Sequence, residues 1–121
     1  MPDPVLELSV RDAQADAAVI TAVGDIDYSS HTLLRDVAGG AVDRNRIRIV
    51  LELSGVRICD STGLSVFVQL HRRTTARGGW FRIAAPRPLL VSTLAITYLD
   101  RLLPVYDSVD AALKAASEDQ R

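Results

Sequence analysis

Cysteine occurs once in the 121-residue chain, histidine twice, and aromatic residues make up only 5%. The lone Cys59 excludes an internal disulfide, and with only His31 and His71 beside it the sequence lacks the ligand cluster of a structural zinc site. No stretch supplies the roughly 20 apolar residues needed to cross a bilayer, so membrane insertion is not expected. The opening MPDPVLEL carries acids where a secretory leader carries bases, and no continuous apolar run follows, which makes the cytoplasm the expected location. What remains is 48% hydrophobic and 24% charged, a composition that folds and buries a core. The length allows one ordinary domain, read here as residues 1–121 with a core over about 5–116.

Lysine is also scarce: Lys114 stands against thirteen arginines. The net charge of −1 offers no global pull toward nucleic acid or anionic membrane. The distribution is uneven, with eight acids and two bases in residues 1–43 and nine bases and two acids in residues 44–88. Arg72, Arg73, Arg77, Arg82 and Arg87 could form a nucleic-acid patch, but only Trp80 and Phe81 supply stacking partners nearby. A solvated helix face and its following loop is the favoured reading, with no direct nucleic-acid contact.

Periodicity gives the elements. VLELSV (residues 5–10) and AVITAV (18–23) read as strands, with Gly24 breaking the second. Ser29 or Ser30 can cap a helix carrying Leu33, Leu34, Val37, Ala38 and Ala41, which Gly39 and Gly40 weaken and can end. RIRIVLEL (46–53) is the clearest strand, with Ile47, Ile49, Leu51 and Leu53 on one face. The period then changes. Gly63, Val66, Phe67, Leu70 and Thr74 form one helical stripe, opposed by Ser65, Gln69, Arg72 and Ala76, and Gly78 and Gly79 close the helix. WFRIAA (80–85) is a strand, Pro86 and Pro88 open a helix through Leu90, Val91, Leu94 and Tyr98, LLPVY (102–106) is a short strand, and Ser108 caps a last helix. The order ββαβαβαβα implies crossover connections and hence an α/β domain, a mixed sheet covered by about four helices.

LELSGVRICDSTGLSVF carries a strand, a turn and a helix start, placing Ser61 where helix amides and the positive helix end converge. Asp60 or Ser61 acting only as an N-cap, with Gly63 as a turn residue, is the plainer account on spacing alone. An aspartic-protease reading fails because DSTG puts Gly63 one residue too late. A hydrolase nucleophile elbow fails because Cys59 stands where glycine is needed and no His base is in sight. A phosphoacceptor receiver would use Asp60 with Asp25 and Asp27, but its lysine has no counterpart, Lys114 lying in the terminal helix. Cys59 reads as a buried, inert thiol, and Trp80 as a packing residue.

LELSGVRICDSTGL resembles the signature of the STAS domain, the fold of bacterial anti-sigma factor antagonists. GDID (residues 24–27) is similar to the family's early Gly-acidic-aliphatic-Asp motif, and TYLDRLLPVYDSVDAAL (97–113) resembles its closing segment. The resemblance implies a partner-switching protein without catalysis or cofactor of its own. The unphosphorylated form would bind an anti-sigma factor, a serine kinase of the histidine-kinase-like ATPase fold, and so free sigma factor. That kinase would phosphorylate Ser61, and a metal-dependent serine phosphatase would reset the cycle. Asp25, Asp27, Asp60, Thr62, Gly63 and Leu64 would join Ser61 on the partner-facing surface. Helix amides could satisfy the phosphate, so the fold should persist on phosphorylation. A STAS subunit of a transport complex or a stressosome-like scaffold would use the same surface constitutively, and a hydrolase using Ser61 is a further rival. Tyr98, where the family commonly has glycine, and YSSHT after GDID depart from the pattern and bear on partner identity.

Overall fold

Strands and helices alternate through the computed structural model, which describes residues 6–116. In order they are β1 (Leu6–Asp12), β2 (Ala17–Ile26), α1 (His31–Asp43), β3 (Arg48–Cys59), α2 (Ser61–Ala76), β4 (Trp80–Ala84), α3 (Pro88–Ile96), a short 3-10 turn (Leu99–Arg101), β5 (Val105–Tyr106) and α4 (Val109–Lys114). The five strands lie in the sheet in chain order, β1 antiparallel to β2 and every later pair parallel. Parallel neighbours added always in one direction through right-handed crossovers must place their helices on one face. Accordingly, residues from α1, α2 and α3 (Leu34, Phe67, Leu94) share one buried cluster with Ile20, Ile49, Leu51 and Ile83 of the strands. Burying each of these large side chains contributes about 2 kcal/mol. The helical stripe of α2 is buried as its spacing predicts, at Gly63, Val66, Phe67, Leu70 and Thr74.

Among the described residues, α4 is the one helix on the opposite face. Ala112 packs there on Val19, Val50 and Ala84, with Trp80, Tyr106, Val109 and Leu113 around them. Arg82 points to this face and is 3% exposed, which corrects its placement on a solvated surface. Its guanidinium lies 3.9 Å above the Trp80 ring and donates to the carbonyls of Ala112 (2.8 Å) and Ala115 (3.0 Å), fastening the end of α4 to β4. The helices therefore sit mainly on one side of the sheet instead of enclosing it.

Several boundaries move relative to the sequence reading. Gly24 does not end β2; register shifts between Thr21 and Val23 and between Gly24 and Asp25 bend the strand onward to Ile26. Beyond residue 53, β3 keeps pairing with that extension as far as Cys59. Helix α1 runs through Gly39 and Gly40, because the notch at Gly39 receives the Arg73 side chain, which pairs with Asp43 at 2.9 Å. Leu33, expected on the buried stripe of α1, is 45% exposed. Helix α3 stops at Ile96, and Tyr98 adopts φ 60°, the left-handed conformation that glycine favours. Of LLPVY, only Val105 and Tyr106 pair as a strand, while Leu103 is buried.

Candidate functional site

The extended ends of β2 and β3 run side by side, Asp25 opposite Ile58 and Ile26 opposite Cys59, and the loops that follow them meet. One carboxylate joins these loops. Asp60 is the N-cap of α2: its Oδ1 accepts from the amides of Thr62 (2.9 Å) and Gly63 (3.3 Å) and from the Thr62 hydroxyl, and its Oδ2 accepts from the amide of Tyr28 (3.1 Å). The Asp60 amide in turn donates to the Ile26 carbonyl at 3.0 Å. The Thr62 hydroxyl, then the backbone donors, holds the Asp60 carboxyl below the usual carboxylate range. Its capping contribution is therefore complete above about pH 4 and is lost as pH falls through that lowered value. Fraying of the first turn of α2 only in this acid range, followed by the Gly63 amide resonance, is the expected result.

Asp27 folds back on its own loop. Its Oδ1 accepts from the Ser29 amide (3.0 Å) and hydroxyl (2.8 Å), bonds that lower its pKa, the Ser29 hydroxyl foremost. Ser30, one of the two serines expected to cap α1, is the N-cap residue but makes no side-chain cap; its buried hydroxyl donates to the Asp25 carbonyl (2.8 Å) and accepts from the Asp27 amide (3.0 Å). Asp25 pairs through Oδ2 with Arg57 at 3.1 Å, while its Oδ1 is buried without a hydrogen-bond partner. Among the described residues no group of three His, Cys, Asp or Glu could hold a metal ion.

Ser61 is the first residue of α2 and is exposed. With Leu64, Ser65, Val68, Gln69, Arg72 and Leu99 it lines a shallow open groove along that helix. Leu64 does both jobs its position allows, since it is half-buried, packs against the core and also lines the groove. Thr62 is spent on the cap. Gly63 is buried where α2 comes closest to the sheet, and a Cβ there would lie 2.6 Å from both Cys59 Sγ and Ile26 Cγ2. Gly63→Ala is expected to lower stability by about 2 kcal/mol through overpacking, read as a shift in the denaturant midpoint.

Burial, with a smaller push from the Asp60 charge, raises the Cys59 thiol to about 12. The folded protein should react with a disulfide reagent at pH 8 at least about a hundredfold more slowly than the unfolded chain. Comparing the two rates, without and with guanidinium chloride, checks this.

The amides of Thr62 and Gly63, expected to receive a phosphate, are already held by Asp60. Tyr28 is the contributor the sequence reading missed: its side chain is 78% exposed and its amide ties the first loop to the cap. A large aromatic directly after GDID was the available signal. Ile58, 50% exposed beside Asp25, adds a second apolar side chain.

This sheet, with an exposed serine opening α2 behind a capping aspartate, defines a class. The chain belongs to the STAS domain family, whose sequence pattern matches residues 10–112. Over 86 residues it is 30% identical to a Thermotoga neapolitana protein named for anti-sigma factor antagonism as a TM1081 homolog, covering 71% of this chain and 76% of that one. The crystal structure of an anti-sigma factor antagonist from Mycobacterium paratuberculosis superposes with a TM-score of 0.80 at 26% identity, over 89% of this chain and 91% of the other. The Bacillus protein SpoIIAA shares the fold at 16% identity, covering 88% of this chain in both forms. Its unphosphorylated form gives a TM-score of 0.76 over 93% of its own chain, and its phosphorylated form 0.71 over 96%. No helix among the described residues is long and apolar enough to cross a membrane.

Proposed function

We propose that this chain, as one STAS domain, is an anti-sigma factor antagonist switched by phosphorylation of Ser61. The observation that carries the reading is the exposed position of Ser61 as the first residue of α2, beside a loop pair locked by Asp60. Its partner is an anti-sigma factor of the histidine-kinase-like ATPase fold, bound through Asp25, Asp27, Asp60, Thr62, Gly63, Leu64 and Ser61. The γ-phosphoryl group of ATP passes to Ser61 Oγ, ADP leaves, and the hydroxyl proton goes to solvent or to a base of the kinase. A metal-dependent serine phosphatase reverses the modification by hydrolysis. The chain acts in the cytoplasm as substrate and binding partner, with no catalysis and no direct nucleic-acid contact of its own.

The loops support a local switch. Asp27, Ser30 and Asp60 fix both loops by hydrogen bonds that do not involve the Ser61 hydroxyl, so modification of that oxygen leaves them in place. The test is incubation with candidate kinase-type anti-sigma factors and ATP, then peptide mass mapping. A single phosphate on Ser61, absent from Ser61→Ala, is expected. Lack of modification by every cognate partner, together with stable association with a transporter or scaffold complex, would overturn the reading.

A further inference from the structure

An anion at a helix start is ordinarily held by amides that no carbonyl has claimed. At the start of α2 the donors beyond the first residue are taken, and only the Ser61 amide is left without an acceptor. The amides of Thr62 and Gly63 donate to Asp60 Oδ1, and the Leu64 amide donates to the Asp60 carbonyl at 3.1 Å. The carboxylate is not free to withdraw, because its other oxygen holds the Tyr28 amide. Nearby cations offer little compensation. Arg57 is paired with Asp25, and Arg72 lies eleven residues along α2 from Ser61, about 16 Å at the rise of a helix. The remaining charged group of the adjoining loop, Asp27, is an acid turned onto Ser29 and Ser30.

From this arrangement, and resting on the reading of Ser61 as the phosphoacceptor, we propose that Asp60 excludes the phosphoryl group of phospho-Ser61 from the amides of Thr62 and Gly63 and leaves it outward as a dianion. Asp60 is thus a positioning residue of the switch. It keeps the phosphate available to repel an acidic partner surface and to enter a phosphatase, instead of letting the Thr62 and Gly63 amides neutralise it.

The test installs phosphoserine at position 61 of the full chain by genetic encoding, so no kinase is required. A failure of Ser61 to be phosphorylated by any anti-sigma factor would leave these measurements untouched, and the two readings fail separately. In the phosphorylated wild type, phosphorus NMR should place the second phosphate ionisation at or above about pH 6, the value of free phosphoserine. The Thr62 and Gly63 amide resonances should match those of the unmodified protein. Asp60→Gly, which keeps a tolerated cap residue while freeing the amides, should move the ionisation about one pH unit lower. The same variant should shift both amides downfield and slow phosphate release by alkaline phosphatase. Asp60→Asn, which keeps the acceptor oxygen without its charge, should leave the amides in place. A wild-type ionisation well below about pH 6 with downfield Thr62 and Gly63 amides would overturn the proposal, whether or not either variant folds.

Discussion

Phosphorylation of Ser61 is expected to weaken binding to the anti-sigma factor by about 1,000-fold, which corresponds to about 4 kcal/mol. The modification adds about −1.5 to −2 charges and three acceptor oxygens to an exposed helix start. Three carboxylates already occupy the two loops, and the cap's own bonds keep Asp60 ionised at neutral pH. An interface that accommodates the hydroxyl must therefore desolvate a dianion or repel it. Ser61→Ala should bind as wild type does while resisting the kinase. Ser61→Asp carries one charge and fewer oxygens, so a loss of roughly tenfold to a hundredfold follows. Titration calorimetry of the three forms against one anti-sigma factor decides the matter, and equal affinities would contradict the switch. Circular dichroism should show the same helix content throughout, since the bonds that fix both loops do not use Ser61.

Arg82→Met should destabilise the fold by about 3 kcal/mol, lowering the melting temperature by roughly 10 °C. The substitution removes the donors to the Ala112 and Ala115 carbonyls and the stacking over Trp80, while keeping most of the buried volume. Helix α4 has six residues and buries only Ala112 fully, with Val109 and Leu113 partly buried beside it. Arg82→Lys keeps the charge but loses the planar fork, and should fall between wild type and Met. Thermal unfolding followed at the Trp80 fluorescence band measures both. Anti-sigma factor binding should survive in Arg82→Met below its melting temperature, because the Asp60 loops follow the ends of β2 and β3, whereas Arg82 pairs with Val50 near the start of β3.

Local pattern made most elements legible. The period-two run of β3 and the buried stripe of α2 were readable because each face of those elements meets a different environment. The geometry of the candidate site was readable as far as its motif went: Asp60 and Ser61 stand together at the helix start, with Gly63 fitted under Cys59 and Ile26. What escaped depended on distant partners. Gly39 looks like a helix stop until Arg73 fills its notch, and Arg82 looks like a surface arginine until α4 folds over it. The Tyr28 amide reaches Asp60 across 32 positions, a tie no window of sequence displays. Strand order was equally hidden, since crossover connections fix their handedness but not which strand each one reaches.

That order has a consequence for synthesis on the ribosome. Every strand joins the growing edge beside the one made just before it, so no part of the sheet must open to admit a later arrival. Assembly can advance as the polypeptide emerges, and α2 can dock on the strands before it while the final third is still leaving the ribosome. The guanidinium of Arg82 then waits for the last helix, whose arrival closes the back of the molecule.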